Sequence, residues 1–257
     1  MKIATWNVNS LRVRLPHLLD WLAANSPDAM CLQETKCEDA TFPADDLARA
    51  GYCAIHHGQR TYNGVAILFR KDPAEVCRGI PEFADEQSRV IAAGMNGIRL
   101  VSVYVPNGQS VGSDKYAYKL RWMEALTRWL ERERLRFPRM AVLGDFNIAP
   151  EDRDVHDPAA WAGQVLFSEP ERAALRALEG AGFVDSFRLF EQPEKSFTWW
   201  DYRMGAFRRN MGLRIDHVLL TQELAAAARS CVIDAAPRRL ERPSDHAPVV
   251  CELEIAA

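Results

Sequence analysis

The chain has 257 residues, 48% of them hydrophobic and 26% charged, which is enough apolar material for a sizeable core. No Gly/Ser-rich linker, charge block or low-complexity stretch divides it, so it reads as one domain over residues 1–257. A formal net charge of −3 excludes attraction of nucleic acid by bulk electrostatics; any polyanion must be met by local clusters.

Lys2–Val8 reads as a strand, and its immediate start leaves no room for a signal peptide. Leu11, Leu15, Leu18, Leu19 and Leu22 then recur at helical spacing across Leu11–Asn25, with Pro16 suited to a first turn. Pro27-Asp28 turns the chain into a second apolar strand, Ala29–Leu32, and Glu34 leaves its end. A weak helical pattern spans Asp45–Arg49. From Cys53 the runs shorten to Ala54–His57, Gly64–Arg70, Val90–Met95 and Ile98–Val105, separated by Asn63-Gly64, Asp72-Pro73 and Asn96-Gly97. Asn-Gly between apolar runs signals hairpins, so part of the sheet is antiparallel. Lys115–Arg136 is a long amphipathic helix that buries Leu120, Met123, Leu126, Trp129 and Leu130.

The run Met140–Leu143 is a buried strand that delivers Gly144-Asp145-Phe146-Asn147-Ile148. Strand period two puts Asp145 and Asn147 on one face, and Gly144 lets another backbone or a ligand come close. Ser168–Gly180 is a helix with Ser168 as N-cap and Glu171 at capping-box spacing. Strand patterns return at Val184–Phe190, Phe197–Trp200, Arg214–Leu220, Ser230–Asp234 and Pro248–Ile255. A helix-bearing half that ends near Phe137 and a second half that ends in strands fit a four-layer α/β sandwich of two mixed β-sheets flanked by helices better than one doubly wound sheet or a barrel.

Six cysteines show no CxxC pair or metal-finger spacing, so they read as reduced thiols in a cytoplasmic protein. No apolar run approaches a membrane span, so no membrane partner is expected.

Polar groups cluster at the strand ends: Asn7 and Asn9, Glu34, Tyr104 and Asn107, Asp145 and Asn147, Asp216, and Ser244-Asp245-His246. Each alone has an ordinary explanation as a turn former, surface charge or core histidine. Taken together they are a harder coincidence, because one site would then combine acid, amide and imidazole groups.

The whole chain from Ile3 to Glu254 resembles the exonuclease III family of abasic-site endonucleases, within the endonuclease/exonuclease/phosphatase (DNase I-like) fold. The matching blocks are Trp6-Asn7-Val8-Asn9-Ser10-Leu11-Arg12, Leu32-Gln33-Glu34-Thr35-Lys36, Tyr104-Val105-Pro106-Asn107-Gly108, Gly144-Asp145-Phe146-Asn147, Leu213-Arg214-Ile215-Asp216-His217 and Ser244-Asp245-His246-Ala247-Pro248. The resemblance implies an αββα sandwich and a Mg²⁺-dependent hydrolase that nicks duplex DNA 5′ of abasic sites in base excision repair, with 3′→5′ exonuclease and 3′-phosphatase or phosphodiesterase activity. It implies Glu34 as principal metal ligand, Asn7, Asn9 and Asp245 assisting through waters, and Asp145, Asn147 and His246 at the same centre. Mn²⁺ should substitute for Mg²⁺. Tyr104 and Asn107 would hold phosphate oxygens, Asp216 would pair with His246, and Asp145 with Asn147 would orient or deprotonate the attacking water. Whether Asp145 or His246 is the base stays open.

At the rim, Arg203, Arg208, Arg209 and Arg214 share a loop with Phe197, Trp199, Trp200, Tyr202 and Phe207, a mixture suited to a phosphate backbone and an unstacked sugar. Trp200 is expected in the core. By the resemblance, Trp199 and Leu213 wall a pocket for a flipped-out baseless sugar. Lys115, Lys119 and Arg121, and likewise Arg238, Arg239 and Arg242, are candidate contacts to DNA, with a solvated face as the equal alternative. The expected partner is duplex DNA with abasic sites or blocked 3′ ends, bound by a monomer. Two competing readings are a specialised 3′→5′ exonuclease lacking abasic-site incision, and a non-enzymatic RNA-associated regulator on the same fold. Gly163 and its neighbours Ala162 and Gln164, small or neutral, favour an open groove and hence abasic-site incision.

Overall fold

The computed structural model describes residues 1–255. The first half contains β1 (Lys2–Asn7), α1 (Leu11–Asn25), β2 (Ala29–Gln33), α2 (Ala44–Arg49), β3 (Cys53–His57), β4 (Val65–Phe69), β5 (Ala74–Arg78), β6 (Val90–Met95), β7 (Ile98–Tyr104) and α3 (Asp114–Arg136). The second contains β8 (Met140–Asp145), α4 (Pro158–Trp161), α5 (Glu169–Gly180), β9 (Phe183–Asp185), β10 (Asp216–Thr221), α6 (Gln222–Ala225), β11 (Ala228–Ile233) and β12 (Val249–Leu253). Among the described residues the strands form two six-stranded sheets, ordered β11-β12-β1-β2-β4-β3 and β5-β6-β7-β8-β10-β9. Each sheet has one parallel pair at its centre, β1 with β2 and β7 with β8, and antiparallel neighbours elsewhere. A long helix joins each parallel pair, as parallel neighbours require.

Side-chain parity builds the layers. Ile3, Cys31, Ile67, Leu143 and Val218 point between the sheets into one core. Their neighbours point outward: Ala4, Met30 and Leu68 pack with Leu18 and Leu22 of α1, while Val142 and Leu219 pack with Trp122, Leu126, Leu175 and Leu178 of α3 and α5. Strands covered on both faces read as continuous apolar runs, which is why Met140–Leu143 shows no alternation. Each branched aliphatic or Met side chain among them contributes about 1.5–3 kcal/mol by leaving water. The expected four-layer αββα sandwich is the observed one.

Local differences have local causes. The expected Asn96-Gly97 hairpin is present, with both residues at positive φ (52° and 73°) and Met95 paired to Ile98. Strand β5 escapes notice because it is a mostly exposed edge with an irregular register. The strand expected over Val184–Phe190 stops at Asp185, whose carboxylate accepts from the Phe187 amide and starts a 3₁₀ turn. Phe197–Trp200 forms no regular strand; Trp199 makes only single bridges, to Leu213 and His246. Leu120 is half-buried rather than core. The Ser168–Glu171 capping box forms as expected. No cysteine is disulfide-bonded. No helix among the described residues is long and apolar enough to cross a membrane.

Candidate active site

The strand ends of both sheets open on one edge of the sandwich. In the second sheet, register places Tyr104 beside Asp145 and Asp145 beside Asp216, three polar residues in a row across β7, β8 and β10. In the first, Asn7 lies beside Gln33, and Glu34 follows at φ 50°, turning its side chain out of the sheet line. Gly144 is required just before Asp145: a Cβ there would stand 1.9 Å from the Val103 carbonyl of the neighbouring strand. The side chain it lacks is what lets β8 lie close enough to bring Asp145 level with Tyr104.

The two rows meet through Asn7. Its Nδ2 donates to Glu34 Oε1 at 2.8 Å and to Asp145 Oδ2 at 2.9 Å, so one buried amide spans both carboxylates. Asn147, at φ 50° beyond the end of β8, donates its backbone N–H to Asp145 Oδ1 at 2.8 Å and its side-chain amide to the Val105 carbonyl. Asn107 donates to Asn147 Oδ1 at 3.2 Å. Asn9, also at positive φ, donates to Asp245 Oδ1 at 2.8 Å and accepts from Lys36, whose ammonium also contacts Glu34 Oε2 at 2.8 Å.

His246 arrives from a loop before β12 and is pinned to β1 by distant partners. Trp6 Nε1 donates to the His246 carbonyl, and Ser244 Oγ donates to the Asn7 carbonyl at 2.7 Å while accepting from the His246 amide. The ring then sits between two carboxylates, Nδ1 at 2.8 Å from Asp216 Oδ2 and Nε2 at 3.7 Å from Asp145 Oδ2. Asp216 Oδ1 is buried without a hydrogen-bond partner, so among the described residues the imidazole is the one hydrogen-bond partner of this carboxylate.

Burial and charge push the titrating groups apart. Burial drives the Asp145 carboxyl up to about 7, with Asp216 and Glu34 adding to the rise and His246 and Asn7 opposing it. Burial alone would lower His246, but the charges of Asp216 and Asp145 overcome it and raise the imidazole to about 10. Burial, then Glu34 and Asp145, hold the Tyr104 hydroxyl well above its ordinary value, so it stays a neutral donor. Asp245 goes the other way: burial opposes ionisation, yet His246 and the donors Trp199 and Asn9 keep it below the usual range.

Glu34, Asp145 and His246 each offer a ligand atom within 4.8 Å of the others, a grouping able to hold a metal ion. Two carboxylates and a nearby amide suit a hard divalent cation. Nδ1 of the imidazole is bonded to Asp216, which leaves Nε2, 3.7 Å from Asp145 Oδ2, as the ring atom that faces the cluster.

The rim is less uniform than expected. Arg203, Arg208 and Arg209 are exposed, and Arg203 is paired with Asp201 at 2.8 Å. Trp200 is in the core, as expected. Trp199 donates from Nε1 to Asp245 Oδ2 at 3.0 Å and lines a cavity of about 320 Å³ with His156, Trp161, Met204 and Met211. Leu213 is a correction: it is fully enclosed among Ala149, Val155, Leu166, Phe167 and Ile215, backing Trp199 instead of offering surface. Arg214 is another, because it is buried between Asp154 and Asp185 at 2.7 Å each. Arg238 is buried too, with its guanidinium on the Ser244 carbonyl and over the rings of Trp200, Tyr202 and Phe207. Lys119 is wholly enclosed. All three cations spend their charge inside the protein, a use that composition cannot distinguish from a surface role. Sequence reasoning gave no role of their own to Trp6, Lys36 and Ser244; all three lie within the matching blocks, but only tertiary contacts reveal what they hold.

Two mixed sheets in an αββα sandwich, with an acidic and imidazole cluster at their common edge, define the class of DNase I-like phosphoesterases. The chain belongs to the Endonuclease/Exonuclease/phosphatase family, whose model matches residues 4–246. Among curated relatives, exodeoxyribonuclease III of Haemophilus influenzae is 35% identical, covering 99% of this chain and 100% of its own. Among solved structures, a variant of the 3′ phosphatase NExo from Neisseria bound to product DNA hairpin has a TM-score of 0.97 at 45% identity, covering 99% of this chain and all of that one. An AP endonuclease from Archaeoglobus fulgidus has a TM-score of 0.96 at 40% identity over the same shares.

Proposed function

We propose that the chain, acting as one domain and as a monomer in the cytoplasm, is a Mg²⁺-dependent DNA-repair phosphodiesterase. It nicks duplex DNA 5′ of abasic sites and clears blocked 3′ ends. The observation that carries this reading is Asp145, held between Asn7, the Asn147 amide and His246 beside Glu34. A basic carboxylate beside a fixed cation is the pairing that water attack on a phosphodiester needs.

In this reading Asp145 takes the proton of the attacking water, whose oxygen forms the new bond to phosphorus as the bond to the 3′ oxygen breaks. Asn147 orients that water. His246, kept cationic by Asp216, faces the non-bridging oxygens, as do the neutral donors Tyr104 and Asn107. Glu34 and Asp145 would hold the ion, with Asn7, Asn9 and Asp245 assisting through waters. When bound, Mg²⁺ supplies Lewis-acid stabilisation of the developing charge. Mn²⁺ substitutes, having the same taste for oxygen donors. Trp199, with the cavity beside it, receives the displaced sugar, and Arg203, Arg208 and Arg209 meet the backbone.

A second reading, 3′-end processing without abasic incision, is favoured by the 45% identity to the Neisseria 3′ phosphatase. One experiment separates them. Equal enzyme is given a duplex with a synthetic abasic site, an intact recessed duplex and a 3′-phosphate duplex, each with Mg²⁺ and with EDTA. Incision of the abasic duplex at rates comparable to 3′-end release supports the first reading, and 3′-end release alone supports the second. Cleavage undiminished by EDTA overturns both.

A further inference from the structure

Lys119 reads in the sequence as one more cation on a helix face, yet it has no exposed surface. Its ammonium has three N–H bonds and three partners: the Asn107 carbonyl at 3.1 Å, the Asn147 carbonyl at 2.6 Å and the Glu171 carboxylate. The two carbonyls belong to residues just beyond the ends of the neighbouring parallel strands β7 and β8 at the site. Asn147 is in the left-handed conformation, which turns its carbonyl inward where no backbone donor reaches it. A buried carbonyl without a donor is costly, so the ammonium is what permits this backbone shape. Glu171 in turn accepts from the Leu166 and Ser168 amides and the Ser168 hydroxyl, and Ser168 meets Tyr116. One ion pair thus ties α3 and α5 and both asparagine-bearing loops together.

We propose that Lys119 is a positioning residue. By gripping the two carbonyls from beneath, it fixes the Asn147 side chain on the phosphate-facing side, with the Asn107 loop as its second anchor, and Glu171 fixes Lys119. The inference rests on the reading that Asn147 works in catalysis. An apolar or water-filled site would leave the fold standing but let the loops choose among several shapes.

The test is a double-mutant cycle. Lys119→Met/Glu171→Gln removes both charges while keeping an acceptor at position 171. Single-turnover abasic-duplex cleavage at saturating Mg²⁺ is measured for this pair, for Asn147→Ala and for their combination, alongside Tm and the Kd for the duplex in EDTA. The pair is expected to lose about 30-fold or more in cleavage rate with Kd within threefold of the parent. In the Asn147→Ala background it should lose less than threefold further, because the group it positions is gone. If the charge-free pair does not fold, Lys119→Arg keeps the ion pair but replaces the tetrahedral donors with a planar fork, and the same cycle is read on it. A pair that cleaves within threefold of the parent, or whose loss recurs in full without the Asn147 amide, overturns the proposal. If Asn147→Ala itself cleaves normally, the reading of the site fails instead.

Discussion

A single asparagine, Asn7, spans the two acids that approach each other in the site. Without it Glu34 and Asp145 would face one another with no donor between them. Asp145→Asn removes the proposed base but keeps an acceptor for the Asn147 amide. It should melt near the parent while kcat/KM for abasic-duplex cleavage falls by on the order of 10²–10⁴; a fall under tenfold would remove Asp145 from its role. Glu34→Ala and His246→Ala should likewise fold and lose most Mg²⁺-dependent cleavage. His217, adjacent to Asp216, gives a pH prediction on stability. Its Nε2 donates to the Ile148 carbonyl at 2.9 Å and its Nδ1 accepts from Arg214 at 3.0 Å, so the native ring is neutral. Burial and then Arg214 push it down to about 4 from 6.5. As pH falls through that window the unfolded chain takes up a proton that the folded chain refuses, so stability drops. The loss is on the order of 2 kcal/mol by pH 5. Urea midpoints at pH 7.5 and 5 should show it in the parent, and His217→Gln, which preserves both hydrogen bonds, should lack that part.

At the scale of the element, a loop outside the sheets carries as much of the site as any strand does. The segment around Ser244–His246 is held to β1 by Trp6 and Ser244 and to the Thr198 carbonyl by the Ala247 amide. Ser244→Ala removes two hydrogen bonds at once and takes a buried donor from the Asn7 carbonyl, a cost of about 1–3 kcal/mol. Chemical denaturation measures that cost, and the cleavage rate should fall with it because His246 loses one of its anchors. The arginine loop makes a separate prediction. With net charge −3, local cations must supply the attraction for DNA. Alanine at Arg203, Arg208 and Arg209 together should therefore flatten the salt dependence of binding, by about 0.9 in slope for each phosphate that is no longer neutralised. An unchanged slope would mean that the DNA runs elsewhere.

The molecule as a whole works by closing two sheets face to face, so that polar residues from both open ends share one edge. Adding Mg²⁺ to the metal-free protein should raise Tm as well as restore cleavage, since a ligand that binds only the native state stabilises it by mass action. A Tm indifferent to Mg²⁺, Mn²⁺ and EDTA would argue against the Glu34–Asp145 cluster as a metal centre. What the amino-acid order determined on its own was whatever short-range physics governs: apolar runs for covered strands, leucine spacing in α1, Asn96-Gly97 for a hairpin, the Ser168 capping box and the position of each polar residue at a strand end. The burial of Lys119, Arg214, Arg238 and Leu213 was decided only by the tertiary structure. So were the brevity of β9, the exposed edge β5 and the pinning of His246 by Trp6. A charge is cheap at a surface and tolerable inside only when paired, and the carboxylates that pair Lys119 and Arg214 lie tens of residues away in sequence. Local pattern records that a cation exists; the packed chain alone determines whether it faces water, DNA or a buried carboxylate.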